Sequence, residues 1–251
     1  MTRSQSHPKT RESLARDFAE LGVASGMTVM VHASLGKVGW TEGGPIAVIR
    51  ALLESLGPQG TLVMPAESPA QSDPQQPIFD PRTTPTTMGA IAEAFRSFPG
   101  TLRSHHPLVS VCANGRNAGE ITRDHALAFC EGKGTPFERL YELHAFTLLL
   151  GVGFDRCTSL HYAESLTPSR RTTVSHFAAM RDGERIWMEV PDMAPDNGVH
   201  FPVVGAKFAA GHSIRTGRVG NADAMLFSTR ELVDFAAAYF NRTLERPYGA
   251  R

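Results

Sequence analysis

Short apolar runs alternate along this chain with stretches whose apolar positions recur every three or four residues. The runs at 27–32, 61–64, 108–113 and 147–150 predict strands, and the last suits a strand covered on both faces. Helical spacing appears over 10–21 (Leu14, Phe18, Leu21), with Thr10 or Ser13 as cap and Gly22 as stop. It returns over 45–56, opened by Pro45 and broken by Pro58 and Gly60, and again over 88–98, 117–123 and 136–143. Strand, helix and strand over 27–64 form a βαβ unit, which predicts a parallel pair with a right-handed crossover.

Beyond residue 170 the pattern changes. Segments 172–180 and 185–190 flank Asp182-Gly183, a hairpin signal. Residues 201–210 read as helix, and 213–219 and 224–227 as strands. Ser228-Thr229-Arg230-Glu231 is a capping box opening a last helix with Leu232, Phe235 and Tyr239 on one face. The expected architecture is α/β: a mainly parallel central sheet flanked by helices, with an antiparallel addition over 170–227. One domain spans 1–251, with 1–9 as a frayed tail. The proline-rich segment 65–87 is too long for a plain connection and reads as functional or disordered.

Composition narrows the function. Twenty-five basic and 25 acidic residues give zero formal net charge in 251 residues, against a nucleic-acid binder. No apolar run reaches the roughly 18 residues of a membrane span. The first residues lack the apolar core of a signal peptide, and Cys112, Cys130 and Cys157 are odd in number and far apart, so a cytoplasmic protein with free thiols is expected.

Candidate chemistry centres on 148–164. A buried strand runs into the Gly151-Val152-Gly153 turn, then into a helix that Thr158 or Ser159 can cap and that carries His161 and Glu164 three apart on one face. Four readings stay open for the pair: a general base with an orienting carboxylate, two metal ligands joined by His105, His106 or His125, a Cys157–His161 nucleophile, or a solvent-facing pair. No HExxH, Walker A, complete dinucleotide fingerprint or GxSxG elbow occurs. The glycine-rich loop after His32 (Gly36, Gly39, Gly43, Gly44) joins a strand end to a helix start, which suits phosphate as well as a plain connection. Asp182, Glu184, Glu189, Asp192 and Asp196 make a local acidic stretch, either a solvated hairpin or a wall for a cationic ligand.

Several blocks in order resemble the aminoglycoside 3-N-acetyltransferase family. They are Val31-His32-Ala33-Ser34-Leu35 with Gly39 and Gly43-Gly44; Gly60-Thr61-Leu62-Val63-Met64-Pro65; Phe79-Asp80-Pro81 with Thr84-Pro85 and Met88-Gly89; Arg103-Ser104 with His106-Pro107 and Ser110; and Leu149 to Gly153 leading into Thr158-Ser159-Leu160-His161 and Ala163-Glu164. The resemblance implies that family's fold, acetyl-CoA as donor, an aminoglycoside amine as acceptor, and no metal. It implies His161 as general base, Glu164 as its partner and His32 near the reaction centre. Ser34, Leu35, Gly39, Gly43, Gly44, Met88, Arg103, Ser104, His106 and Ser110 are then expected at the CoA, as a consequence of the resemblance. A polycationic acceptor needs carboxylates, for which Asp80, then Glu67, then Asp192 and Asp196 are the candidates. The protein is expected as a monomer or homodimer. A non-aminoglycoside amine as acceptor, or a metal-dependent hydrolase, are the alternatives.

Overall fold

A computed structural model describes residues 8–68, 79–127, 130–167, 172–181, 184–193 and 200–243. In chain order the elements are α1 (Arg11–Leu21), β1 (Thr28–Ala33), α2 (Leu35–Val38), α3 (Gly44–Leu56), β2 (Thr61–Pro65), α4 (Ala90–Arg96), β3 (Leu102–Arg103), β4 (Val111–Gly115), α5 (Ala118–Thr122), α6 (Pro136–Glu142) and β5 (Phe146–Leu150). After a 3-10 turn at Phe154–Arg156 come α7 (Ser159–Ser165), β6 (Thr172–Arg181), β7 (Glu184–Met193), α8 (Phe201–Gly211), β8 (Arg215–Val219), β9 (Ala222–Ser228) and α9 (Thr229–Thr243).

The capping signals act as the sequence predicts at α1. Thr10 and Ser13 bond reciprocally across its first turn, and Gly22 ends it in the left-handed conformation. Residue 9, expected in a frayed tail, is tied down: Lys9 N–H donates to Trp40 O (2.8 Å) and Lys9 O accepts from Glu42 N–H (2.9 Å). Residues 1–7 lie outside the described set.

Seven strands form one sheet in the order β3-β4-β2-β1-β5-β9-β8, and β6 and β7 pair separately. The α/β class is as expected, but the sheet is mixed rather than mainly parallel. β2, β1 and β5 run parallel, and β4, β3, β9 and β8 are added antiparallel at the two edges. The expected 170–227 addition is therefore two structures. One is the β6–β7 hairpin; the other, β8–β9, is a ribbon of the main sheet. A two-residue turn at Gly220-Asn221 joins β8 to β9 and forces them antiparallel.

Side-chain alternation in the central strands explains the layers. Val29, Val31, Leu62, Met64, Leu148 and Leu150 enter one apolar cluster with residues of α1, α3 and α4. Met30, Val63 and Leu149 enter the other with residues of α5 to α9. Both faces of the parallel core are thus covered, as a continuously apolar strand requires.

Beyond β2 the antiparallel pairing with the β4 side continues into the proline-rich segment. Ala66 N–H donates to Ser110 O (2.8 Å) and Ser68 N–H to Leu108 O (2.9 Å). Arg103 then clamps the segment. Its guanidinium donates to the carbonyls of Ala66 (2.6 Å), Pro81 (3.5 Å) and Thr84 and to the hydroxyls of Ser68 (3.0 Å) and Ser110 (2.9 Å), and it lies over the Phe79 ring at 5.0 Å. Replacing it leaves these acceptors without their donor, so Arg103→Met is expected to cost about 3 kcal/mol in chemical denaturation. The same variant should open the 79–89 segment to limited proteolysis; unchanged stability and cleavage would refute the clamp.

Candidate active site

Parallel strands β2, β1 and β5 deliver their carboxyl ends to one edge of the sheet, the usual place for chemistry in an open α/β sheet. After β5 the chain turns at Gly151 (φ +67°), where an added Cβ would stand 2.5 Å from Lys37 Cβ, so glycine is required. Gly153, also expected as a turn glycine, has a negative φ. The 3-10 turn follows, and α7 starts at Ser159; neither Thr158 nor Ser159 makes the side-chain capping bond expected of it.

Helix α7 holds the His161–Glu164 pair. Nδ1 of His161 lies 2.8 Å from Oε2 of Glu164, one turn on. Glu164 is fully buried, whereas the His161 side chain is 28 % exposed and so open to a ligand. A carboxylate accepts, so Nδ1 carries the shared proton and Nε2 is the nitrogen left for a substrate. The ring packs edge-on against Phe201 at 4.7 Å.

Electrostatics at His161 depart from an ordinary imidazole. Burial works against charging the ring. The Glu164 hydrogen bond and the charges of Glu131, Glu164 and Glu67 outweigh it and lift the pKa to about 9. Glu131 is a residue the sequence reading missed. It is buried at 5 % exposure in a loop without periodicity, and no motif marks it. A hydrogen-bonded series anchors that loop. Val111 N–H donates to Ser104 Oγ (2.8 Å), Ser104 Oγ meets His125 Nδ1 (2.9 Å), and His125 Nε2 meets the carbonyl of Cys130, next to Glu131, at 3.2 Å. Glu67 extends β2 by two residues, and alternation turns it to the same face as α7.

The same alternation places His32, at the end of β1, on the α7 face. His32 is 5 % exposed, and burial alone holds its pKa down at about 4, so it is neutral. It lines a cavity of about 260 Å³ with Ala33, Pro65, Met88, Val152 and Arg156. A larger depression of about 780 Å³ lies on the other side of Val152, with Lys37, Asn221 and Arg218 at its wall.

The remaining sequence candidates divide. Met88 faces the cavity with His32. Ser34 starts α2 and donates its N–H to Leu150 O (2.9 Å); Leu35 packs on the core; Gly39 approaches Asn221. Gly43 and Gly44 open α3, and Gly43 lines a separate surface depression with Thr10 and Arg50. Ser104, His106 and Ser110 are fully buried, and the Arg103 guanidinium is engaged in its clamp. His106 Nδ1 accepts from Leu108 and Val109 N–H (3.2 and 3.1 Å), and its ring packs on His125 at 4.5 Å. His105 packs on Phe79, and among the described residues no group of three or more His, Cys, Asp or Glu is placed to hold a metal ion. Asp80 is ion-paired with Arg82 at 3.1 Å. Asp192 stands in β7 opposite Thr173, while Asp196 and Asp182-Gly183 lie outside the described residues. Cys157 is buried, and desolvation pushes its thiol up to about 12, which leaves it a thiol and not a nucleophile. No described helix is long and apolar enough to cross a membrane.

Comparison with known proteins gives the site its relatives. The family model described as aminoglycoside 3-N-acetyltransferase matches residues 30–241. The SPbeta prophage-derived aminoglycoside N(3')-acetyltransferase-like protein YokD of Bacillus subtilis is 37 % identical over 94 % of this chain and 94 % of its own. Its crystal structure superposes with a TM-score of 0.92 over 96 % and 97 % of the two chains, at 35 % identity. A structure of AAC-IIIb with CoASH gives 0.90 at 30 % identity, over 96 % of this chain and 99 % of that one. A structure of AAC-VIa bound to sisomicin gives 0.89 at 28 % identity, over 94 % and 98 %.

The raised His161 pKa makes a signed prediction. Nuclear magnetic resonance titration of the ring should give a midpoint near 9, falling in Glu131→Gln and further in Glu164→Gln, which loses a hydrogen bond as well as a charge. The stabilisation from this raised pKa is complete below the ordinary histidine value of about 6.5 and fades as pH rises through about 9. Glu131→Gln should therefore be more destabilising at pH 6 than at pH 10. A midpoint that stays put in both variants would remove the carboxylates as its cause.

Proposed function

The chain belongs to the aminoglycoside 3-N-acetyltransferase family, and we propose that it transfers the acetyl group of acetyl-CoA to the 3-amino group of an aminoglycoside. The observation that carries this reading is the His161–Glu164 pair: a buried carboxylate fixes the tautomer, and a part-exposed imidazole presents Nε2. An amine attacks a thioester only when neutral, so the site must take a proton from an ammonium. His161 is the group to receive it, and Glu164 holds the imidazolium that forms.

Three carboxylates around one histidine also suit a polycationic acceptor. Glu131 and Glu67 are the charges that supplement Glu164 at the ring, and they join Asp80, which is ion-paired with Arg82, as candidate acceptor-facing acids. With its pKa raised to about 9, His161 is protonated at neutral pH before an acceptor binds. An arriving ammonium competes with that proton for the same negative field, and its binding drives the ring toward the neutral form that acts as base. The donor fits the other side. The smaller cavity takes the acyl end, and the depression beyond Val152, with Lys37 and Arg218, takes the phosphate-bearing end. Transfer is direct, consistent with the inert Cys157 thiol. A second reading, another amine as acceptor, draws on the acetyltransferase-like description of YokD.

Sisomicin with acetyl-CoA should yield CoASH and a product acetylated at the 3-amino group, read by thiol release and product spectroscopy. Turnover with other amines alone would favour the second reading. His161→Ala should lose about 10²–10⁴-fold in kcat while CoASH binding is kept. Because the base must be neutral, kcat/KM should rise with pH toward about 9, and Glu131→Gln should move that rise to lower pH. Lys37→Glu should raise KM for acetyl-CoA about tenfold with little change in kcat.

A further inference from the structure

His32 has an unused hydrogen-bonding atom where none is expected. Its Nε2 is buried and has no partner among the described residues. An interior polar atom left this way is costly unless something meets it. His32 is one of the residues around the roughly 260 Å³ cavity at the carboxyl ends of β1 and β2. The rest of that wall is mainly apolar: Val31, Met64, Pro65, Met88, Ile91 and Val152. Such a cavity takes an uncharged ligand end bearing one or two hydrogen-bonding atoms.

From this geometry we propose that His32 Nε2–H donates to the carbonyl oxygen of the bound acetyl thioester and holds the oxyanion formed during transfer. The inference rests on acetyl-CoA being the donor. Alternation along β1 turns His32 to the face of the sheet that carries α7, the helix of His161. In the step, the amine nitrogen bonds to the carbonyl carbon and the π pair moves to oxygen, where Nε2–H meets it. The N–H proton passes to His161 Nε2. The oxyanion then re-forms its double bond, the C–S bond breaks, and CoA leaves as a thiolate that takes up a proton. A neutral imidazole suits the donor role. It stays uncharged across the working pH range, and being held by the strand it needs no reorganisation as charge develops.

His32→Leu removes the donor, and His32→Gln keeps an N–H of similar reach. Loss of one such donor is typically worth about 10²–10³-fold in kcat. The expected result is that drop in His32→Leu, partial recovery in His32→Gln, and CoASH affinity within threefold of wild type in both, since CoASH has no acyl carbonyl. With carbonyl-labelled acetyl-CoA bound in the absence of acceptor, the infrared carbonyl band should shift down in wild type, not in His32→Leu, and partly in His32→Gln. Active wild type with kcat in His32→Leu within threefold would overturn the role, as would equal carbonyl bands in wild type and that variant. A parallel loss of CoASH affinity would also overturn it, by making His32 structural. Wild type that neither binds nor uses acetyl-CoA would instead overturn the proposed donor.

Discussion

Three parallel strands buried on both faces impose the condition everything else satisfies. Their side chains must alternate between two apolar clusters, so any polar residue at a strand end is committed to one face by its position in the count. Val31 belongs to one cluster, so His32 belongs to the other side, and Glu67 follows the same rule two residues past β2. The edge strands can run antiparallel without disturbing this, because they add beyond β2 and β5 and leave the three carboxyl ends together.

The protein then pushes two histidines in opposite directions at that edge. His32 meets desolvation with no charge to offset it and stays neutral; His161 meets three carboxylates and becomes a strong base. Burial is similar in kind at both. Their difference comes first from Glu164 on α7 and then from the loops that bring Glu131 and Glu67, so the chemical character of the sheet edge is set by a helix and connections and not by strands.

Local signals carried much of this into the sequence. The capping residues of α1, the Gly151 turn, the three-residue spacing of His161 and Glu164, and the pairing of β6 with β7 are each decided within a few residues. What stayed hidden depends on long-range pairing. The Gly220-Asn221 turn looks alike whether its strands stand apart or join the main sheet, and pairing with β5 decides it. Glu131 has no periodic neighbours, and its position follows from bonds to His125 and Ser104 that join loops distant in the chain. Arg103, Ser104, His106 and Ser110 fall in a motif, and a motif does not say whether its residues touch a ligand or brace the wall behind it.

The Arg103 clamp bears on how such a site can diversify. Three of its five acceptors are main-chain carbonyls, at Ala66, Pro81 and Thr84, which every residue type offers. Side chains along the neighbouring segment can be exchanged while the backbone stays fastened at the same points. One cation thereby separates where the segment lies from what it displays, and mutation can reshape the rim of the site without first having to rebuild its frame.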